Sequence, residues 1–411
     1  MVDCCSQPGL LPFEQALSNM LAAITPIEDI EQVNVEDAYN YVLAQDILSP
    51  LNVPGHDNSA MDGYAFSLKS LVNNKTLTLV GRSMAGAPFQ GTCGLGQCVR
   101  IMTGAKMPAD CDTVEMQENC QVDGENITFL EEKKFGAHVR NAGEDIKEGQ
   151  AVYSKGHRLS AIDVGVLASL GIKRVSVYRK LKVALIATGD ELKKPGQTLT
   201  DGDIFESNSY VLAGMLNKLH VEVIDFGIIE DSFAAIKHAF EQADEQADAV
   251  ISSGGVSVGD ADYTKMVLDE LGEIGFWKIA MKPGKPFAFG TLPNSIFFGL
   301  PGNPVSAMVT FHQMAIPGLL KLQHANDIKR AHVQVKTTTD LKKSPGRMDF
   351  QRGVLSINDV GESVVTSTGS QGSGILSSLA KANCFIVLPS CQGKVNAGET
   401  VTVQLFDQFL I

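Results

Sequence analysis

The sequence predicts a multidomain chain of mixed α/β and β class, organised around one doubly wound α/β domain. Three observations carry this. At 411 residues the chain exceeds one ordinary hydrophobic core. Between residues 181 and 328, apolar runs of strand length alternate with helical stretches, as in a parallel sheet. On either side of that span, short strand-like runs sit between Gly, Pro and Asp turns, the texture of small β domains.

The elements follow in order. Residues of about 9–50 read as helical: Pro12-Phe-Glu-Gln-Ala-Leu-Ser-Asn-Met-Leu21 has helical apolar spacing, and Val35-Glu-Asp-Ala-Tyr-Asn-Tyr-Val-Leu-Ala44 is expected to begin a second helix. From Leu51 the runs Leu77–Val80, Gln97–Met102, Thr113–Met116 and Asn126–Leu130 predict a small β domain over 51–140. Ile162–Leu170 reads as a helix stopped by Gly171, and Val175–Tyr178 as a strand. These are expected to return to the N-terminal helices, giving a discontinuous domain of residues 1–50 and 141–180 with the β domain inserted. Val183–Ala187, Val221–Phe226, Ala249–Ser252 and Phe297–Leu300 are the expected strands of the α/β domain, residues 181–328. Its helices are expected over Ser209–Leu219, Ser232–Ala243 and Val305–Leu320. Residues 329–411 return to short strands, around Ala331–Lys336, Cys384–Leu388 and Thr400–Leu405, and predict a C-terminal β barrel or sandwich.

Composition narrows the function. With 44% hydrophobic and 20% charged residues, the chain has the balance of a soluble globular protein. No apolar run approaches the roughly 18 residues of a membrane span; Ser295–Leu320 is interrupted by Pro301, Pro304 and Pro317. The first residues lack the basic region of a secretion signal, so a cytoplasmic protein is expected. A formal charge of −13 argues against nucleic-acid binding. It also requires that an anionic ligand be held by local cations or a metal. The eight cysteines make neither a C-x-x-C pair nor a zinc set, and read as thiols in a reducing compartment.

The chemistry-bearing residues lie on turns. Thr188-Gly-Asp-Glu191, Ser252–Asp262 and Gly299–Pro304 all follow predicted strands, at the edge where open α/β sheets bind ligands. Ser253, Gly254, Gly255, Ser257 and Gly259 form a glycine loop without the P-loop lysine or the G-x-G-x-x-G spacing. Its bare amides suit an anion. Pro301, Gly302, Asn303 and Pro304 make a second turn beside it. Acids stand at turns too: Asp62, Asp145, Glu191, Asp231, Asp260 and Asp262. The ordinary role of any one is an Asx turn or N-cap. Glu191, Asp231 and Asp262 together should reach one sheet edge, as Mg²⁺ ligands beside a phosphate would. Lys278, Lys282 and Lys285 flank a Pro-Gly turn, and Arg347 and Arg352 follow; these are the cations available to an oxyanion. The eight histidines are scattered and support no nucleophile–His triad.

Eight stretches in order closely resemble the molybdopterin molybdenumtransferase family, which includes the E domain of gephyrin. They are Asp57–Ala65, Met84–Pro88, Ile101–Ala105, Arg140–Asp145, Ala187–Leu192, Ser253–Asp260, Lys282–Pro286 and Gly299–Pro304. The resemblance spans nearly the whole chain. It implies an α/β domain of the molybdopterin-binding type and a Mg²⁺-dependent reaction in which adenylylated molybdopterin and molybdate yield molybdenum cofactor and AMP. By the same resemblance Asp62, Thr103 and Asp145 face the site from the β domain, and Glu191, Asp231 and Asp262 from the α/β domain. Lys278, Lys282, Arg352 and Ser373 are candidates for the molybdate pocket. A homodimer is implied, with contacts to a separate adenylyltransferase and to molybdoenzymes or their chaperones. One departure is His56, where the family has an apolar or aromatic residue; it is either a packing variant or an added titrating group. An adenylyltransferase acting on molybdopterin, and a non-catalytic scaffold, are the alternative readings. The choice between molybdate and tungstate stays open.

Overall fold

The computed structural model describes residues 9–256, 263–326 and 330–410. The chain divides into two compact units: Met1–Glu31, Asn40–Val42 and Val177–Ile411 in the first, Gln32–Tyr39 and Leu43–Ser176 in the second.

The first unit contains the α/β domain. Its six-stranded sheet runs Glu222–Ile229, Lys182–Thr188, Ala249–Ser253, Ile296–Leu300, Pro286–Thr291, Glu273–Lys278 in space. The first four strands are parallel and the last two antiparallel. Val183–Thr188, Ala249–Ser253 and Ile296–Leu300 are buried throughout, because helices cover both faces. On one face the helix Asn208–Lys218 inserts Leu212, Met215 and Leu216, joined by Ala16 and Met20 of the helix Phe13–Ala23. On the other, Ile236 and Phe240 of Phe233–Gln246 meet Val267 and Leu268 of Tyr263–Leu271.

The helix expected over Val305–Leu320 forms with one change. Pro304–Thr310 and Ile316–Leu322 are α-helical, and Phe311–Ala315 between them is a π turn. Pro317 has no N–H to return to the carbonyl four residues back, so the ladder widens there. The antiparallel strands Glu273–Lys278 and Pro286–Thr291 are additional to the sequence reading.

The C-terminal strands close into a barrel. His332–Thr337, Ser363–Ser367, Met348–Ile357, Cys384–Leu388 and Thr400–Leu405 form a ring in which each strand pairs with the next and the last with the first. Val365, Ile386 and Val403 fill its interior. A short strand, Met281–Lys282, adds parallel to Met348–Asp349 on the ring.

The second unit is built on a six-stranded sheet in the order Thr113–Met116, Gly63–Phe66, Gln97–Ile101, Thr76–Ser83, Asn126–Phe129, Cys120–Asp123. A Cβ at Gly63 would lie 1.8 Å from the Glu115 carbonyl oxygen, so this position requires glycine. The helix Ala161–Ser169 carries a Ser160/Asp163 capping box and stops before Gly171 at φ +70°.

The second N-terminal helix does not form. Val35–Asp37 is one 3₁₀ turn, and Asn40 turns the chain with φ +67°. The amides of Leu43 and Ala44 bond to the His157 and Ser176 carbonyls instead of to a helix. Long-range pairing overrides a local apolar pattern here.

Candidate active site

Four strand ends of the α/β sheet deliver loops to one cavity of about 680 Å³. Thr188, Gly189 and Glu191 follow the first strand in sequence, Asp231 the second, Ser253–Val256 the third, and Pro301–Pro304 the Ile296–Leu300 strand. Parallel strands with crossover helices end on the same edge, which is why the loops converge.

Glycine shapes the floor. Gly254 and Gly255 hold φ +94° and +67°, which side chains rarely adopt. A Cβ on Gly254 would lie 2.5 Å from the Thr188 carbonyl oxygen, and one on Gly255 would lie 2.3 Å from Thr264 Oγ1 and 2.8 Å from Thr188 Oγ1. Both threonine hydroxyls are buried and, among the described residues, without a hydrogen-bond partner. Gly302 brings its backbone beside Gly254, and the Gly254 amide donates to the Leu300 carbonyl at 3.1 Å.

Carboxylates crowd one wall. Gly189, at φ +143°, lets the Glu191 carboxylate fold to within 2.7 Å of where its Cβ would be. Asp190 accepts the Asp231 amide at 3.0 Å and ties two strand ends together. The Asp231 carboxyl is held above its ordinary pKa, first by desolvation, then by the charges of Asp190 and Glu191. Among the described residues no three His, Cys, Asp or Glu side chains form a ready metal cage.

Asn208, at the start of the Asn208–Lys218 helix, also lines the cavity. Its side-chain amide donates to Ser253 Oγ at 2.8 Å and to the Gly302 carbonyl at 2.9 Å, joining the two glycine turns. Sequence reasoning missed it. The signal was a polar Glu206-Ser-Asn-Ser209 run opening an otherwise apolar helix.

The cations sit beside the barrel. Lys282, on its two-residue strand, pairs with buried Asp349 at 3.3 Å. Lys278 ends the Glu273–Lys278 strand. Arg352 is 1% exposed, donating to Ser378 Oγ and to the Gly372 carbonyl; desolvation lowers its pKa. It thereby holds the loop that carries Ser373, whose carbonyl accepts the Val305 amide at 3.0 Å.

Asp62, Thr103 and Asp145 belong to the second unit. Asp62 Oδ1 accepts both the amide and the hydroxyl of Thr103, each at 2.7 Å, and these bonds hold its carboxyl below the ordinary value. The Asp145 side chain is exposed and its amide donates to the Val53 carbonyl. His56 is exposed. Ser257, Gly259, Asp260 and Asp262 lie outside the described residues.

The class is a multidomain protein that joins an α/β domain, with a carboxylate-walled cavity at its strand ends, to a C-terminal barrel. Residues 11–171 match the MoeA N-terminal region (domains I and II), 184–321 a probable molybdopterin binding domain, and 334–406 the MoeA C-terminal region (domain IV). The chain is 48% identical to the molybdopterin molybdenumtransferase of Haemophilus influenzae, over 98% of this chain and 100% of that one. To the Nostoc enzyme of the same name it is 34% identical, over 96% and 93%. The solved MoeA protein of Pyrococcus horikoshii superposes with a TM-score of 0.82 at 30% identity, over 97% of this chain and 100% of that one. The chain belongs to the molybdopterin molybdenumtransferase family.

Proposed function

We propose that this enzyme inserts molybdenum into molybdopterin, taking adenylylated molybdopterin and molybdate to molybdenum cofactor and AMP with Mg²⁺. One observation carries the reading: Glu191 and Asp231 line the same cavity as the Gly254–Gly255 and Pro301–Gly302 turns. Bare turns accommodate phosphate oxygens, and adjacent acids need a cation between them and that phosphate.

The acids fit Mg²⁺. The ion takes one or two carboxylates and completes its shell with water and phosphate, so a three-residue cage is unnecessary. The Asp231 carboxyl is raised first by desolvation and then by the charges of Asp190 and Glu191, and a bound cation would offset both. Glu191 and Asp231 would hold the ion, with Asp262 the further candidate from sequence. When bound, it supplies Lewis-acid polarisation of phosphoryl oxygens.

This chain's own residues do the rest. The glycine turns seat the phosphate, and Asn208 keeps the two turns in register. Lys282, with Lys278, supplies positive charge for molybdate, and Arg352 fixes the Ser373 loop beside it. By family resemblance Asp62, Thr103 and Asp145 also take part in the reaction, and the enzyme is a homodimer. Six described cysteines are free thiols, in keeping with the cytoplasm. Among the described residues no helix is long and apolar enough to cross a membrane.

The test is AMP release from adenylylated molybdopterin with Mg²⁺, with and without molybdate. Molybdate-dependent release coupled to cofactor formation is expected. Consumption of ATP on molybdopterin itself would instead make the chain an adenylyltransferase, and tight binding without release would make it a carrier or scaffold.

A further inference from the structure

Asn208 does more than join two loops. The residue is 8% exposed and lines the cavity. Both hydrogens of its amide group are already committed, one to Ser253 Oγ and one to the Gly302 carbonyl. The Gly302 oxygen is an acceptor only, so the –NH₂ must face it and the amide has one orientation. Oδ1 is therefore the atom left over. Among the described residues it accepts no hydrogen bond.

An acceptor is out of place beside glycine turns suited to phosphate. A phosphate oxygen would be repelled by Oδ1, so the group meant for it is a donor. The substrate proposed above has donors away from its phosphates: the amino and hydroxyl groups of an adenosine, and the ring N–H groups of a pterin.

We propose that Asn208 is a specificity-determining residue whose Oδ1 accepts a hydrogen bond from an N–H or O–H on the neutral part of the phosphorylated substrate. The assignment rests on the phosphate-binding reading of the cavity. It places the neutral part of the ligand against the Asn208–Lys218 helix, with its phosphate on the Gly254–Gly255 turn. Asn208 thus couples the two: the same amide group that sets the turns reports which molecule the phosphate belongs to.

The test compares ligands with and without donors. Affinities of AMP, a pterin phosphate and fully deprotonated pyrophosphate are measured by calorimetry with Mg²⁺, for wild type, Asn208→Ala and Asn208→Asp. Losing one neutral hydrogen bond should weaken AMP or the pterin phosphate by about three- to tenfold in N208A. Pyrophosphate, which has no donor, should change much less. N208D keeps an acceptor but adds a negative charge and cannot donate to the Gly302 carbonyl, so it should weaken all three, the more highly charged pyrophosphate most. On wild type, 2′-deoxy-AMP, 3′-deoxy-AMP and N6,N6-dimethyl-AMP then locate the donor on the nucleotide; if all three bind like AMP, the pterin half carries it. Equal weakening of all probes in N208A would overturn the proposal, leaving Asn208 a loop tie alone. Binding of no probe by the wild type would overturn the phosphate reading itself, and this assignment with it. If N208A does not fold, full retention of affinity by every donor-deleted analogue, pterin included, overturns it equally.

Discussion

Gly255→Ala tests whether the floor of the cavity is as tight as the backbone indicates. Three contributions set the magnitude. An alanine at φ +67° pays the left-handed penalty, about 1–2 kcal/mol. Its Cβ meets Thr264 Oγ1 at 2.3 Å and Thr188 Oγ1 at 2.8 Å, both buried, and overpacking of this kind costs about 1–3 kcal/mol. Loss of glycine entropy in the unfolded chain returns about 0.4–1 kcal/mol. The net expectation is a destabilisation of about 2–4 kcal/mol. Urea unfolding followed by circular dichroism reads it. The collision term is separable. Thr264→Ala removes the nearer oxygen, and deleting an unpartnered buried hydroxyl carries little penalty of its own. The G255A/T264A double variant should therefore recover about 1 kcal/mol or more of the loss. G254A is the contrast: its Cβ meets the Thr188 backbone oxygen at 2.5 Å, and T264A should not rescue it. A G255A loss below about 0.5 kcal/mol, the range of an unconstrained surface change, would refute the reasoning. So would equal rescue of both glycine variants.

Three further outcomes are expected. Asp231→Asn should abolish most AMP release yet raise the melting temperature slightly in the absence of divalent cation. A carboxyl with a raised folded pKa favours the fold below that pKa and loses the benefit as pH rises through it, so at pH 7 it is a liability. Mg²⁺ should stabilise the wild type and not D231N; equal Mg²⁺ stabilisation would remove Asp231 from the metal. Lys282→Ala should raise the molybdate concentration needed for half-maximal turnover several-fold, and an unchanged dependence would take Lys282 out of the oxyanion pocket. His312 is fully buried, and its pKa is lowered chiefly by desolvation, with Arg330 adding to the fall and Asp407 opposing it. The unfolded chain then binds the extra proton below about pH 6.5. Stability should fall from about pH 6.5 downward, and His312→Gln should flatten that part of the curve; an identical slope in H312Q would assign the acid sensitivity elsewhere.

The legible parts of this fold share a physical cause. Val183–Ala187 and Ala249–Ser252 are apolar on both faces because helices cover both, so a bare apolar run identified them. The site loops were legible because glycine and proline stand where strands end. Two kinds of residue escaped. Val35–Ala44 carries a helical pattern, yet Leu43 and Ala44 find partners at His157 and Ser176, over a hundred positions away, which no window of sequence contains. Asn208 and Arg352 act through buried hydrogen bonds to backbone carbonyls, and the identity of those carbonyls depends on which loops meet. The sequence names Arg352 as a cation for the oxyanion; what it does not show is the burial and the bonds to Ser378 and Gly372 that fix it.

The two-residue strand carrying Lys282 has a consequence for how this enzyme tolerates change. Its backbone partner is Met348–Asp349, and its side chain is paired with Asp349, so its place is set by the barrel. A substitution at Met348 or Asp349, far along the chain from the glycine turns, would then displace Lys282 and, on the proposed reading, weaken oxyanion capture. The barrel and the α/β sheet can be told apart as folds, yet an isolated α/β fragment would keep the acids and lose the anchorage of Lys282.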